Sequence, residues 1–276
     1  METKTARQRR HDAENDGERQ RHEELQKEKE NCIEEFLISK DYRTLVASYY
    51  GHHICVFDVP TLSHIQTLEN PNSLLLLHVA ALSDSGNYLA HANYDEETKV
   101  SYVTLWNTRK GTVKRRSRNE KDVCVIATSE DADKIVFGNL KNELRIWCPK
   151  RPNSMRRIKG YTGLKFSTKS KIVITEGGLR AVVYAGDISL WDLERGEVLA
   201  VFTPDMNIQC FMVAMDGKMI IYGRHDTSKI VTLRVTYGEK VKIQREGPLL
   251  FGEKDDSDDD DSDDDEEAGP GEEDED

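Results

Sequence analysis

From Cys32 to Gln244, short apolar runs alternate with polar positions and are broken by polar turns. This period of two marks half-buried strands, not the 3.6-residue stripe of amphipathic helices. The pattern is clearest in Asp187-Ile-Ser-Leu-Trp-Asp-Leu-Glu-Arg-Gly-Glu-Val-Leu-Ala-Val201. There Ile188, Leu190, Trp191 and Leu193 form a β-branched and aromatic run, Glu194-Arg-Gly196 supplies a turn, and residues 198–202 resume the alternation. Four more stretches follow the same grammar: CIEEFLISKDYRTLVASYY, LLHVAALSDSGNYLAHANY, VCVIATSEDADKIVFGNL and IQCFMVAMDGKMIIYG, each with the strands that follow it. Each unit predicts four antiparallel strands, the last lying near 64–68, 112–116, 155–158, 197–202 and 241–244, so the chain reads as all-β.

A bulky apolar residue closes the third strand of each unit: Phe57, Trp106, Trp147, Trp191 and Leu233, at intervals of 49, 41, 44 and 42 residues. Trp191-Asp192 is the dipeptide for which the WD40 repeat is named, and Ser83-Asp-Ser-Gly86 resembles the S-x-D-G turn of that family. The chain therefore resembles a run of WD40 repeats, whose period is roughly 40–45 residues. The resemblance implies a β-propeller of about five blades. A small sheet that is apolar on both faces must stack on a like neighbour, so the five closing residues are expected to act as structural wedges where blades meet.

Departures from the family pattern sharpen that expectation. No repeat places Gly-His before its first strand, because Gly51-His52 falls in a later turn, so the family's Asp-His hydrogen-bond network is expected to be absent. Only Trp191-Asp192 keeps the full dipeptide; elsewhere stand Phe57-Asp58, Trp106-Asn107, Trp147-Cys148 and Leu233-Arg234. Five blades admit a five-bladed ring, a C-terminal piece of a larger propeller, or an open arc completed by a partner. The expectation is an incomplete ring, a piece of a larger propeller, because an open arc would leave unpaired edges at both ends. The fourth and fifth units are also similar to the C-terminal repeats of NACHT and WD-repeat-containing proteins, which implies a scaffold role beside an upstream nucleotide-binding domain. No G-x-x-x-x-G-K-[ST] loop is present in this sequence.

Charge divides the chain. Residues 253–276 carry seventeen carboxylates and one lysine, a net of −16 within an overall −12, so the remainder is mildly basic at +4. Residues 1–30 hold eight basic and nine acidic side chains and little that could pack, which predicts a disordered leader or a frayed helix. The expected organisation is a charged leader at 1–30, propeller blades over 31–252, and a disordered acidic tail at 253–276. Cys32, Cys55, Cys124, Cys148 and Cys210 sit in apolar runs without C-x-x-C or Cys/His spacing, which reads as reduced core thiols with neither disulfides nor a zinc site. No signal peptide or membrane-length apolar run is seen, so a cytoplasmic protein is expected, with the nucleus as alternative.

The candidate chemistry is binding, not catalysis. His11, His22, His52, His53, His64, His78, His91 and His225 are scattered, and no nucleophilic triad or carboxylate pair recurs, so no catalytic residue, cofactor or metal is expected. Loops read as joining second and third strands, at 49–53, 93–98, 139–142, 177–186 and 224–229, would converge on one face. There Tyr50, Tyr94, Arg180 and Arg224 are the candidate contacts, since tyrosine and arginine dominate interface energetics. Arg115, Arg116, Arg118, Arg156 and Arg157 fall on fourth strands of neighbouring units. They read either as an anion-binding stripe or as charges that discourage edge pairing. Ser257 and Ser262 precede aspartate runs, a setting for phosphorylation, and the tail could compete for the basic stripe. The expected function is a non-catalytic scaffold that presents propeller loops to other proteins, without membrane insertion. The alternative is a nucleic-acid or ribonucleoprotein factor using the stripe under control of the tail.

Overall fold

A computed structural model describes residues 33–49, 53–69, 73–74, 79–95, 100–117, 122–151, 154–158, 161–205, 207–224 and 229–245. The leader, the acidic tail, Tyr50, Arg118, Ser257, Ser262 and the side chain of Tyr94 lie outside what it describes.

Five antiparallel sheets follow one another along the chain. Blade 1 comprises β1 (Ile33–Ile38), β2 (Thr44–Tyr49), β3 (His53–Asp58) and β4 (Ser63–Glu69). In blade 2 the innermost strand is split into β5 (Ser73–Leu74) and β6 (Ala80–Leu82), both paired with β7 (Tyr88–Asp95), which is followed by β8 (Val100–Asn107) and β9 (Thr112–Arg116). Blade 3 holds β10 (Val123–Thr128), β11 (Ile135–Asn139), β12 (Leu144–Trp147) and β13 (Met155–Arg157). Blade 4 holds β14 (Lys171–Thr175), β15 (Arg180–Ala185), β16 (Asp187–Asp192) and β17 (Glu197–Phe202). Blade 5 holds β18 (Ile208–Ala214), β19 (Met219–Arg224), β20 (Ile230–Thr236) and β21 (Lys242–Arg245).

Each strand's alternation gives its sheet two apolar sides, a leading side toward the preceding blade and a trailing side toward the next. The four buried clusters are the four seams between these sides. Trp106 on the leading side of blade 2 packs with Val46, Ile54 and Val56 of blade 1. Trp147 of blade 3 meets Ala90, Val103 and Leu105 of blade 2. Trp191 of blade 4 meets Val136, Leu144 and Ile146 of blade 3, and Leu233 of blade 5 meets Val182, Ile188 and Leu190 of blade 4. The Trp191 indole is satisfied locally: it donates to Ser189 Oγ at 2.8 Å, two residues earlier on the same strand. Close approach also sets residue identity at Gly138, where an added Cβ would come within 2.3 Å of the Phe166 ring.

The second half of the WD dipeptide has its own task. Asp192 Oδ1 accepts from the backbone N–H groups of Glu194 and Arg195, each at 2.8 Å. Asn107 does the same for Lys110 at 2.8 Å, and Asp58 for Thr61 at 3.0 Å. These Asx turns fold the third strand back into the fourth.

Two expectations are corrected. Phe57 occupies the register position of Trp191 but is only half-buried, because no described blade precedes it; its ring meets His64 edge-on instead. The cysteines are not uniformly core: Cys55 is buried, Cys124 and Cys148 are half-buried, and Cys210 is exposed. Among the described residues no strand pairing and no buried cluster joins blade 5 to blade 1, so the ring is not closed.

Candidate functional site

The turns divide between two faces. Turns from first to second strand and from third to fourth strand lie on what is here called the upper face; second-to-third turns and blade-to-blade links lie on the lower face. The upper face is built on a repeated serine device. Ser39 Oγ donates to Asp41 at 2.6 Å and accepts from the Thr44 amide at 2.9 Å. Ser129 Oγ donates to Asp131 at 3.0 Å and accepts from the Lys134 amide at 3.1 Å. Ser83 Oγ accepts from the Tyr88 amide at 3.1 Å. The hydrogen bond from Ser39 holds the Asp41 carboxyl below its usual range, and those from Thr61 do the same for Asp58.

Neighbouring upper turns are tied to one another. Lys40 Nζ pairs with Asp84 at 3.1 Å, the Ser85 amide donates to Glu130 at 2.8 Å, Lys134 Nζ donates to the Gly178 carbonyl at 2.8 Å, and the Glu176 amide donates to Asp216 at 2.7 Å. Each bridge crosses one seam. The exposed ones are worth little individually, but together they align the turns in a row.

That row carries large apolar side chains into solvent. Tyr42, Leu62, Leu179, Met215 and Tyr237 are all exposed and all belong to upper-face turns, whereas Leu140 is the one exposed large hydrophobic on a described second-to-third turn. Leu62 is 83% exposed and Met215 65%. Tyr42, Leu62 and Met215 also hold left-handed backbone, with φ of 57°, 53° and 49°. A side chain in that region costs about 1–2 kcal/mol, which glycine would avoid. Tyr42 stands where the second unit has Gly86. An apolar residue in the glycine slot of an S-x-D-G turn was the available sequence signal, and a reading centred on the opposite loops missed it.

The two candidate contacts whose side chains are described, Arg180 and Arg224, lie on opposite faces. The stretch 177–186 is not a second-to-third turn, since it contains β15, and the actual connection is Gly186. Arg180 therefore lies on the upper face, with its guanidinium 4.1 Å over the Tyr237 ring and 2.5 Å from the Glu176 carboxylate. Arg224 ends β19 on the lower face, where its amide donates to Lys229 at 3.3 Å. Tyr94 lies near the lower end of β7.

The basic stripe is uneven. All of β9 is exposed, and Arg115 and Arg116 extend from it, while Lys114 lies 4.6 Å over the Tyr88 ring. On β13, Arg157 pairs with Glu143 at 3.0 Å and Arg156 donates to the Leu193 carbonyl. A cleft of about 750 Å³ between blades 3 and 4 is lined by Lys134, Lys150, Arg151 and Arg156, with Lys150 paired to Asp131 and Asp133. Of these cations, Lys150 and Arg157 are paired with carboxylates of blade 3, whereas Lys134 and Arg156 reach backbone carbonyls of blade 4.

Among the described residues no group of three or more His, Cys, Asp or Glu side chains could hold a metal ion, and no helix is long and apolar enough to cross a membrane.

No family model matches the chain, and no curated protein matches it. Among solved structures, the β-propeller domain of Cps50 (Swd1) from Myceliophteria thermophila superimposes with a TM-score of 0.58 at 13% identity, covering 78% of this chain and 73% of that one. The likeness is one of fold: this chain is a β-propeller of four-stranded antiparallel blades whose ring is not closed among the described residues.

Proposed function

We propose that the protein is a non-catalytic scaffold that holds a folded protein partner on its upper face. The observation that carries this reading is the set of Tyr42, Leu62 and Met215, large apolar side chains held outward in left-handed turns. Exposure and backbone strain both disfavour such residues in an isolated molecule, and a partner that buries them relieves the first and uses the second as preorganisation. The seams and bridges beneath keep the turns fixed, so little ordering entropy is lost on docking. Residues 1–30 and 253–276 act as charged arms outside the docking body.

The test is affinity capture from cell extract at physiological salt, comparing the full chain with a Tyr42→Ser, Leu62→Ser, Met215→Ser variant. Salt-tolerant capture of a defined protein, weakened at least tenfold in the variant, is the expected result. Equal capture by the two proteins overturns the reading. Exposed Arg115 and Arg116 favour a second reading, binding of a polyanion, which requires affinity that collapses with salt and is lost in an Arg115→Ala, Arg116→Ala variant.

A further inference from the structure

Three upper-face turns meet where blade 4 stacks on blade 3: residues 129–134 and 148–154 of blade 3 and 193–196 of blade 4. Between them opens the cleft of about 750 Å³, whose lining carries four cations, Lys134, Lys150, Arg151 and Arg156, against two carboxylates, Asp133 and Glu194. One concavity thus holds a net charge of +2, with half-buried Cys148 and Met155 as its apolar part.

Most of these cations are held in place without being neutralised. Lys134 Nζ gives one of its three N–H groups to the Gly178 carbonyl at 2.8 Å, and Arg156 gives one of its five to the Leu193 carbonyl. A carbonyl fixes such a head but leaves its full charge and its remaining donors to the cleft. Arg151 is exposed, and its backbone is pinned on both sides: its amide donates to the Cys148 carbonyl at 2.9 Å, and Ser154 Oγ donates to its carbonyl at 2.9 Å. Lys150 is the one committed to carboxylates, those of Asp131 and Asp133.

We propose that this cleft receives a phosphorylated side chain of the protein docked on the upper face, with the phosphate held by Arg151, Arg156 and Lys134. The inference rests on the docking reading above and names the group that the partner presents. Charge selects the ligand: a phosphate monoester carries about −1.5 to −2 at neutral pH and matches the lining, whereas a single carboxylate leaves part of it unanswered. Guanidinium forks also suit phosphate oxygens geometrically. The volume falls within the range of about 300–1,000 Å³ typical of ligand sites, which leaves room for peptide flanking the phosphate. Position selects a peptide over a free phosphate compound. The Leu193 amide donates to the Leu179 carbonyl at 2.9 Å, so the rim of the cleft leads to Leu179, which is 47% exposed on the docking face. A polyanion fits less well, because Asp133 and Glu194 interrupt the positive lining.

The probe is a short fluorescent peptide with phosphoserine followed by leucine, compared with its unphosphorylated twin. The full chain is expected to bind the phosphorylated form at least about tenfold more tightly in anisotropy titrations at physiological salt, and an Arg151→Ala, Arg156→Ala variant to lose the difference. Arg151→Ala alone leaves the bonds across the seam intact and should weaken the preference severalfold. Cys148 gives a second readout from inside the cleft. Saturating phosphopeptide should slow its modification by a maleimide at least about fivefold, while exposed Cys210 reacts at an unchanged rate and buried Cys55 stays unmodified. Equal affinity for the two peptides overturns the proposal, as does a phosphate preference undiminished in the arginine variants. Inorganic phosphate that protects Cys148 as well as the phosphopeptide does would assign the cleft to a free phosphate compound and also overturns it. Tighter binding of single-stranded RNA than of phosphopeptide, lost in the same variants, would assign it to a polyanion, with the same consequence. The two readings fail separately. Equal peptide binding with partner capture intact rejects the cleft and leaves the docking face. A phosphate preference that persists while the Tyr42→Ser, Leu62→Ser, Met215→Ser variant captures partner as well as the wild type upholds the cleft and rejects the face.

Discussion

Trp191 and Phe57 occupy equivalent places in their sheets. Each is the penultimate residue of its third strand, each precedes an aspartate that caps the next turn, and each directly follows a register shift in the pairing with the fourth strand. Trp191 is 1% exposed, yet Phe57 is only half-buried and is flanked on its side of the sheet by exposed Phe36 and Ile38. What differs is the blade in front. A wedge is buried by the trailing side of its predecessor and not by its own sheet, so the same local grammar gives a core residue in blade 4 and a surface residue in blade 1.

This contrast can be broken most forcefully at the wedge. Trp191→Ala should destabilise the protein by about 3–5 kcal/mol in a urea titration. Phe57→Ala should cost about 1 kcal/mol or less, in the range of a partly exposed side chain. Comparable losses at the two positions would mean that blade 1 is covered after all.

A smaller effect is expected where turns abut across a seam. Gly86 has φ of +72° and an added Cβ would fall 2.4 Å from the Thr44 side chain of blade 1, whereas Gly177 has φ of +62° with nothing within 4 Å. Gly86→Ala should therefore combine backbone strain with a steric term of about 1–3 kcal/mol, and Gly177→Ala should show strain alone. Thermal unfolding of the two variants side by side measures the difference.

Ser189→Ala removes the acceptor of the buried Trp191 indole and is expected to cost about 1–3 kcal/mol. If stability is unchanged, the indole has found another partner and the Ser189 hydroxyl is not what holds the wedge in place.

The smallest effect appears only in base. Burial, then the hydrogen bond to Asp187 and the charge of that carboxylate, push the Tyr161 hydroxyl up to about 12 from an ordinary value of 10.0. Because the folded value is raised, the contribution is fully present below pH 10 and is lost as pH rises toward 12. The unfolding midpoint should fall more steeply over that interval in the wild type than in Tyr161→Phe. Equal slopes would show that Tyr161 ionises as readily in the folded chain as in the unfolded one.

Much of the architecture was legible before any coordinates. The near-constant interval between Phe57, Trp106, Trp147, Trp191 and Leu233 reports how much chain one blade consumes, and Ser83-Asp-Ser-Gly86 already announced a turn repeated in other guises at Ser39 and Ser129. The placement of Arg180 was misread because Gly177 and Gly186 both look like turn residues, and only strand pairing shows that β15 runs between them. Tyr42, Leu62 and Met215 escaped notice because a bulky residue in an irregular stretch looks like core until its backbone conformation turns it outward.

Period, turn chemistry and the identity of each wedge are properties of neighbouring residues along the chain, so strands, hairpins and blade count could be read from the order of amino acids. Which wedges are buried, which arginines are engaged and which apolar sides are left bare depend on the surfaces that stacking brings opposite one another. Those surfaces belong to segments forty or more residues apart, and burial is a relation between them that no single segment contains.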